Sequence, residues 1–88
     1  MIAGIVSGSG RIVTGAGFAL TRTGPGTYTI RFLEPCAEAP VVLATPAEPG
    51  RAAAAAGTAA GAEITLTDHS GTRTDGGFAF AAIVLPAP

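Results

Sequence analysis

The sequence is poor in the residues that cross-link or charge a small protein. Its 88 residues include one cysteine, no tryptophan and no lysine, and charged residues make up only 12%. One cysteine excludes an intrachain disulfide. With a formal net charge of −1, electrostatic attraction to nucleic acid or to an anionic membrane is disfavoured. We therefore expect neither of them as a partner.

Long apolar runs are also missing. No stretch approaches the roughly 20 apolar residues that a transmembrane helix needs. The segment Met1–Val6 has neither the basic region nor the apolar length of a signal peptide. We expect no membrane insertion, and synthesis in the cytoplasm without a signal peptide.

The chain is short for a fold that stands alone. A domain of this size buries only about 60–65% of the surface that its unfolded chain exposes. Apolar residues nevertheless make up 48% of the chain, and the few charges cannot cover a small monomer. Association of copies is the common remedy where disulfides and structural metals are absent, so the composition predicts self-association.

The chain is organised around the hairpin that the stretch Gly17–Phe32 predicts. Apolar and polar residues alternate strictly on both sides of a Thr-Gly-Pro-Gly turn, which is typical of two half-buried antiparallel strands. Glycine tolerates positive φ and proline pre-sets φ, so the turn has a physical basis. The residues expected on the apolar side are Phe18, Leu20, Tyr28, Ile30 and Phe32. We place Arg22 and Arg31 on the polar side, either solvated or paired with Glu34 or Glu63.

Further short strands are predicted along the whole chain, separated by glycine- and proline-rich turns. This pattern favours an all-β fold, a compact antiparallel β-sandwich or a barrel, of which we favour the sandwich. We expect one domain over residues 15–88, preceded by an N-terminal arm or short strands over residues 1–14. The additional strands are predicted at Ile2–Val6, Arg11–Thr14, Pro40–Thr45, Ala62–Thr67 and Phe78–Leu85.

Two stretches have unusual patterns. The run Ala52–Ala56 has high helix propensity, but it is short and has no amphipathic stripe, so a strand of small side chains is favoured. The stretch Phe78–Leu85 is apolar on both sides, with Phe78, Phe80, Ala82 and Val84 on one of them. Such a strand is covered either within the fold or between subunits.

Three motifs follow one another in an order that resembles known modules. They are G-x-G-F-x-L-T-R-T-G-P-G-T-Y-T-I-R-F from Gly15, the segment P-x-x-x-x-P-V-V-L-A-T-P from Pro35, and the final F-A-F-A-A-I-V-L. Over Gly15–Leu85 the chain resembles the small β-sandwich modules of phage and actinobacterial tail-fibre-like proteins, and more distantly the H-type lectin sandwich.

The resemblance implies a homotrimer on a virion surface or another extracellular particle, as a tail-fibre head or a capsid decoration protein. The implied partners are copies of the chain itself and a virion protein or a host-surface glycan. The alternative that it implies is a small H-type-lectin-like carbohydrate-binding module.

The loop Asp68–Gly77 is the most polar segment and the candidate binding site. It has no tryptophan or tyrosine on which a sugar would stack, which departs from the lectin pattern. A metal or acid–base site needs converging ligands, and the spacing here matches no such signature. A solvated hairpin tip is the simpler alternative. The residues that we expect to bind a partner are Asp68, His69, Arg73 and Asp75.

Catalytic machinery is not evident in the sequence. Cys36 lies between Glu34 and Glu38, where neighbouring negative charge disfavours the thiolate that a nucleophile requires. It is better interpreted as a small apolar residue. We expect a protein that is not an enzyme, without catalytic residues, cofactor or metal.

Overall fold

A computed structural model describes residues 2–84 of the chain, and within them it contains eight strands and no helix. The strands form two antiparallel sheets of four, the first in the order β2-β1-β8-β5 and the second in the order β3-β4-β7-β6. Their bounds are β1 Ile2–Val6, β2 Ile12–Gly15, β3 Phe18–Gly24, β4 Thr27–Phe32, β5 Val41–Pro46, β6 Ala52–Gly57, β7 Gly61–Thr67 and β8 Phe78–Ile83. The predicted all-β class is confirmed.

The predicted hairpin is formed by β3 and β4. Phe18 pairs with Phe32 and Leu20 pairs with Ile30, so the apolar residues share one side as the alternation predicts. Gly26 turns the chain with a φ of 63°. A Cβ at this position would lie 2.5 Å from the carbonyl oxygen of Leu66 and 2.7 Å from the amide nitrogen of Thr74. The turn therefore needs glycine for its backbone angle and also for the close approach of the neighbouring chain.

Side chains from both sheets form one hydrophobic core. The Phe18 and Phe80 rings meet edge to face with centroids 4.8 Å apart, and the Tyr28 and Phe78 rings lie 5.2 Å apart. Each of these contacts joins a strand of one sheet to a strand of the other. The buried apolar residues are Val6, Phe18, Tyr28, Ile30, Phe32, Ala62, Ile64, Leu66, Phe78, Phe80 and Ala82.

The ambiguous alanine run is a strand. β6 pairs with β7 from Ala52 opposite Thr67 to Gly57 opposite Ala62. Tertiary pairing therefore overrides the helix propensity of alanine, because a short helix without an apolar stripe has nothing to pack against.

Two predicted placements are wrong. Arg22 pairs with Tyr28 across the hairpin, so it belongs to the core-facing side of β3 and not to the polar side. β8 ends at Ile83, and Val84 is exposed beyond it, so Val84 does not join the core. Leu85 and the terminal prolines lie outside the described residues.

Candidate functional site

Asp75, predicted as a binding residue, is held by two other segments of the chain. The Nε atom of Arg22 donates to both carboxylate oxygens of Asp75 at 3.0 Å, and its Nη2 atom lies 2.9 Å from Oδ2. The amide of Gly26 donates to Oδ1 at 2.8 Å. A bidentate, charge-assisted pair of this kind fixes geometry as well as adding energy. Asp75 therefore ties the loop to the β3–β4 hairpin.

The buried side chain of Tyr28 anchors the part of the loop that follows Asp75. The Tyr28 hydroxyl donates to the carbonyl of Gly8 at 2.8 Å and accepts a hydrogen bond from the amide of Gly76 at 3.3 Å. Arg51 Nη1 donates to the carbonyl of Asp75 at 3.1 Å. The C-terminal half of the loop is thus fastened to β4 through Tyr28 and to Arg51, which precedes β6.

Asp68 stabilises the N-terminal half of the same loop. Its Oδ1 atom accepts hydrogen bonds from the Ser70 hydroxyl at 2.7 Å, the Ser70 amide at 2.9 Å and the Thr72 amide at 3.1 Å. These bonds from Ser70 and Thr72 hold the pKa of the Asp68 carboxyl below its usual range. An aspartate that bonds to amides further along its own turn acts as a local brace.

His69 and Arg73 are the two predicted residues that remain available to a partner. Both are exposed, and neither side chain makes a hydrogen bond or an ion pair within the described residues. The backbone of Arg73 bridges to Thr67, which limits how far it moves. The structure therefore brings the four predicted residues into one loop but divides their roles, because the two aspartates brace it and the two basic side chains project from it.

The residues that anchor this loop were not predicted from the sequence. Arg22, Tyr28 and Gly26 lie far from Asp75 along the chain, and only the tertiary fold brings them to it. One feature of the sequence does indicate the contact. Arg22 follows Phe18 and Leu20 at intervals of two residues, so strict alternation places it on the apolar side of the hairpin. A positive charge on the apolar side of a sheet is unfavourable unless an anion pairs with it, so Arg22 needs a carboxylate at this end of the sheet.

We expect the Arg22–Asp75 pair to make the free energy of unfolding fall as the pH is lowered into the acid range. The Arg22 side chain and the Gly26 amide hold the pKa of Asp75 below its usual range. As the pH falls to about 4, Asp75 therefore takes up a proton more readily in the unfolded chain than in the folded one. The stabilisation is present at pH 6 and is lost as the pH falls through the pKa of the folded state.

The measurement is the urea midpoint of the wild type and of Asp75→Asn between about pH 6 and pH 2.5. The wild type should be the more stable at pH 6, and the difference should shrink in acid. Arg22→Gln, which removes the guanidinium charge and leaves the carboxylate in place, should reproduce this loss at pH 6. Midpoints that differ by the same amount at every pH would contradict the role assigned to the carboxylate.

A second feature is the outward side of the first sheet, which we call the apolar face. Strand pairing sets Ile5 beside Ala79, Ala81 beside Ala3 and Leu43, and Val41 beside Ile83. None of its residues is ionisable, and Leu43, Ile5 and Val41 are exposed by 57%, 47% and 44%. The apolar face comprises Ala3, Ile5, Thr14, Val41, Leu43, Thr45, Ala79, Ala81 and Ile83.

The outward side of the second sheet has a different character. Threonines dominate it, with Thr21 beside Thr29 and Thr27 beside Thr65. A shallow groove of about 490 Å³ lies at one end of this side, lined among others by Thr29, Arg31, Ala56, Thr58 and Glu63. The outward sides of the two sheets therefore differ in chemistry, one apolar and one rich in hydroxyls with a charge of each sign.

Within residues 2–84, no three His, Cys, Asp or Glu side chains are grouped as metal ligands. Cys36 is half-buried and packs against the hydrophobic core. In the described part of the chain, no helix has the length and apolarity to cross a membrane.

No protein-family model, curated protein or solved structure matches this chain.

Proposed function

We propose that this protein is a non-enzymatic structural and binding protein, whose two sheets stack as a β-sandwich and whose copies associate as a homotrimer. The observation that carries the proposal is the apolar face. Its outward residues on four adjacent strands include no ionisable group. Large contiguous apolar patches are rare on monomeric proteins and mark interaction sites.

The free energy of burying the apolar face favours its contact with other copies of the chain. Burying it costs no desolvation of charge, and every apolar surface removed from water contributes roughly 25 cal/mol per Å². A small fold with a limited core gains most from such burial. Three copies, in place of another number, are supported by the resemblance of the hairpin and C-terminal motifs to trimer-forming tail-fibre-like modules.

The same resemblance supports a place on the surface of a phage-like particle, as a tail-fibre head or a capsid decoration protein. In such an assembly the recognition surface is the loop Asp68–Gly77. Its base is braced by Asp68 and Asp75, so binding through His69 and Arg73 does not have to order the loop backbone, and only the two side chains lose freedom. A trimer displays the loop three times, and weak contacts then gain by avidity.

The direct test is the molar mass in solution. Light scattering at micromolar concentration should give three times 8.6 kDa, about 26 kDa. A mass of 8.6 kDa would refute self-association, and a mass of twice that value would refute the stoichiometry while leaving the apolar face as the interface.

The recognition loop is tested by the double variant His69→Ala, Arg73→Ala. It should keep the trimeric mass and the melting temperature of the parent, because neither side chain bonds to the rest of the described chain. Attachment to empty capsids, to host cells or to a glycan array should weaken. Asp75 is left in place because its removal would loosen the loop itself.

The matched control is Arg11→Ala, which removes an exposed arginine outside the loop and should leave attachment unchanged. Capsid binding would support decoration, and glycan binding would support the lectin-like alternative. Equal attachment by the double variant and the parent would exclude this loop as the recognition surface.

A further inference from the structure

Asp75 and Gly76 form an Asp-Gly sequence, the dipeptide in which an aspartate side chain reacts most readily with its own backbone. The reaction joins the main-chain nitrogen of the second residue to the carboxyl carbon of the aspartate, and glycine has no side chain to hinder that approach. No other aspartate in the chain precedes a glycine. The pair is therefore a candidate site of spontaneous covalent modification.

The backbone at position 76 does not itself require glycine. Gly76 has no positive φ, unlike Gly26 in the hairpin turn. A Cβ added to Gly76 would have its nearest neighbours at 3.5 to 3.7 Å, in the side chains of Glu48, Arg51 and Leu66, which is ordinary van der Waals contact. Alanine would therefore fit here, so the reactive sequence is not the by-product of a turn that needs glycine.

Native hydrogen bonds hold both of the groups that would react. Arg22 and the Gly26 amide bind the two carboxylate oxygens of Asp75 at 2.8 to 3.0 Å. The amide of Gly76 donates to the Tyr28 hydroxyl at 3.3 Å, and Gly76 is buried. Ring closure consumes the hydrogen of this amide and one of these oxygens, so it has to break bonds at both groups.

The same contacts keep the carboxyl group of Asp75 in its less reactive form. A carboxyl group gives up an oxygen as water from its neutral form, because the ionised carboxylate repels a nucleophile. The Arg22 side chain and the Gly26 amide hold the pKa of Asp75 below its usual range. The neutral form is therefore rarer in the folded protein than in the unfolded chain.

We propose that the Asp75-Gly76 sequence is a latent isomerisation site, which the contacts of Arg22 and Tyr28 keep closed in the folded protein. When these contacts open, the Gly76 nitrogen bonds to Cγ of Asp75. The carboxyl OH leaves with the amide hydrogen as one water molecule, and a succinimide ring forms. Water then adds to the main-chain carbonyl carbon of Asp75, whose bond to the nitrogen breaks, and the chain continues through Cγ as isoaspartate.

Isomerisation releases the C-terminal half of the loop from the hairpin. It adds one carbon to the backbone and leaves the carboxylate on Cα, so the bidentate contact with Arg22 is not preserved. The turn that Asp68 braces is not altered by this step. The proposal concerns how the loop is held, so it depends neither on what the loop binds nor on the trimer.

The test follows isoaspartate formation in neutral buffer, in the folded full-length protein and in the same protein unfolded by urea. Trypsin releases residues 74–88 as one peptide in which Asp75 is the only aspartate, so labelling of that peptide by isoaspartyl methyltransferase reports this site alone. Isoaspartate should form at least about tenfold more slowly in the folded protein, the factor that corresponds to one hydrogen bond to a charged group. Equal rates would overturn the proposal.

Two variants separate these contacts from the general protection that folding provides. Arg22→Gln should recover most of the lost rate in the folded protein. Ile64→Val is the matched control, because it weakens the buried core of β7 and leaves both contacts in place. Rates are compared after scaling by the unfolded fraction that each urea midpoint gives. If the two scaled rates are equal, global unfolding alone controls the reaction and the proposal is wrong.

The amide contact and the chemistry of the site are tested by two further substitutions. Tyr28→Phe removes the hydroxyl that holds the Gly76 amide and should also raise the rate, which provides a second test if Arg22→Gln does not fold. Adding Gly76→Ala to either variant should slow the reaction again, because the methyl group hinders ring closure. Isoaspartate that forms as fast with alanine at this position, or a Tyr28→Phe rate equal to that of the parent, would overturn the proposal.

Discussion

Phe80→Ala should lower the free energy of unfolding by about 3–5 kcal/mol, the usual cost of truncating a buried phenylalanine. Phe80 is 4% exposed and its ring meets Phe18 of the other sheet edge to face at 4.8 Å. The substitution therefore removes core volume and also one of the two aromatic contacts between the sheets. Thermal and urea unfolding measure the loss. For a domain of this size it is a large fraction of the total stability.

Assembly should fail together with folding in this variant. Obligate oligomers often have no stable folded monomer, so a substitution that destabilises the subunit lowers both the folded fraction and the assembled fraction. The control is Val13→Ala, because Val13 is 63% exposed and its truncation should change stability by no more than about 0.5 kcal/mol. A Phe80→Ala protein that keeps the parent's melting temperature and mass would show that this ring is not part of the core.

Ala81→Glu should convert the proposed trimer to a single chain. Ala81 lies at the centre of the apolar face, between Ala3 of β1 and Leu43 of β5. A carboxylate there would be buried without a partner in the assembled protein, and burial of an unpaired charge is strongly unfavourable. Light scattering should show the mass falling about threefold, with the variant either folded as a monomer or unfolded.

The matched control places the same charge on the other sheet. Thr65→Glu alters a central strand, β7, on its outward side, where threonines already contact water. This variant should keep the molar mass of the parent protein. If Ala81→Glu also retains it, the apolar face is not the interface, whatever the mass of the parent.

The alternation of apolar residues was sufficient to predict most of the strands. A strand places successive side chains on opposite sides, so the strand predicted at Ala62–Thr67 sets Ile64 and Leu66 on the same side by their spacing alone, and both are buried. The same argument predicted the shared side of Phe18, Leu20 and Ile30. It failed at Val84, since periodicity does not show where pairing with a neighbouring strand ends.

The polar side chains of the candidate site were predictable as a group, but their separate roles in the loop were not. A polar loop with Asp68, His69, Arg73 and Asp75 is evident from composition. Which of them brace the loop depends on contacts with residues about 50 positions away, as between Asp75 and Arg22. No local pattern encodes such a contact, because it exists only once the hairpin and the loop meet at the same sheet end.

By itself, the sequence determined the all-β class, the hairpin that forms one side of the second sheet and the excess of apolar surface, because these follow from local alternation and from composition. Only the tertiary structure decided which sides of β1, β5 and β8 lie next to each other. That adjacency makes scattered alanines, valines and leucines into one uncharged face. It likewise decided that the alanine run is an edge strand, since an edge is defined by what pairs beside it and not by its own residues.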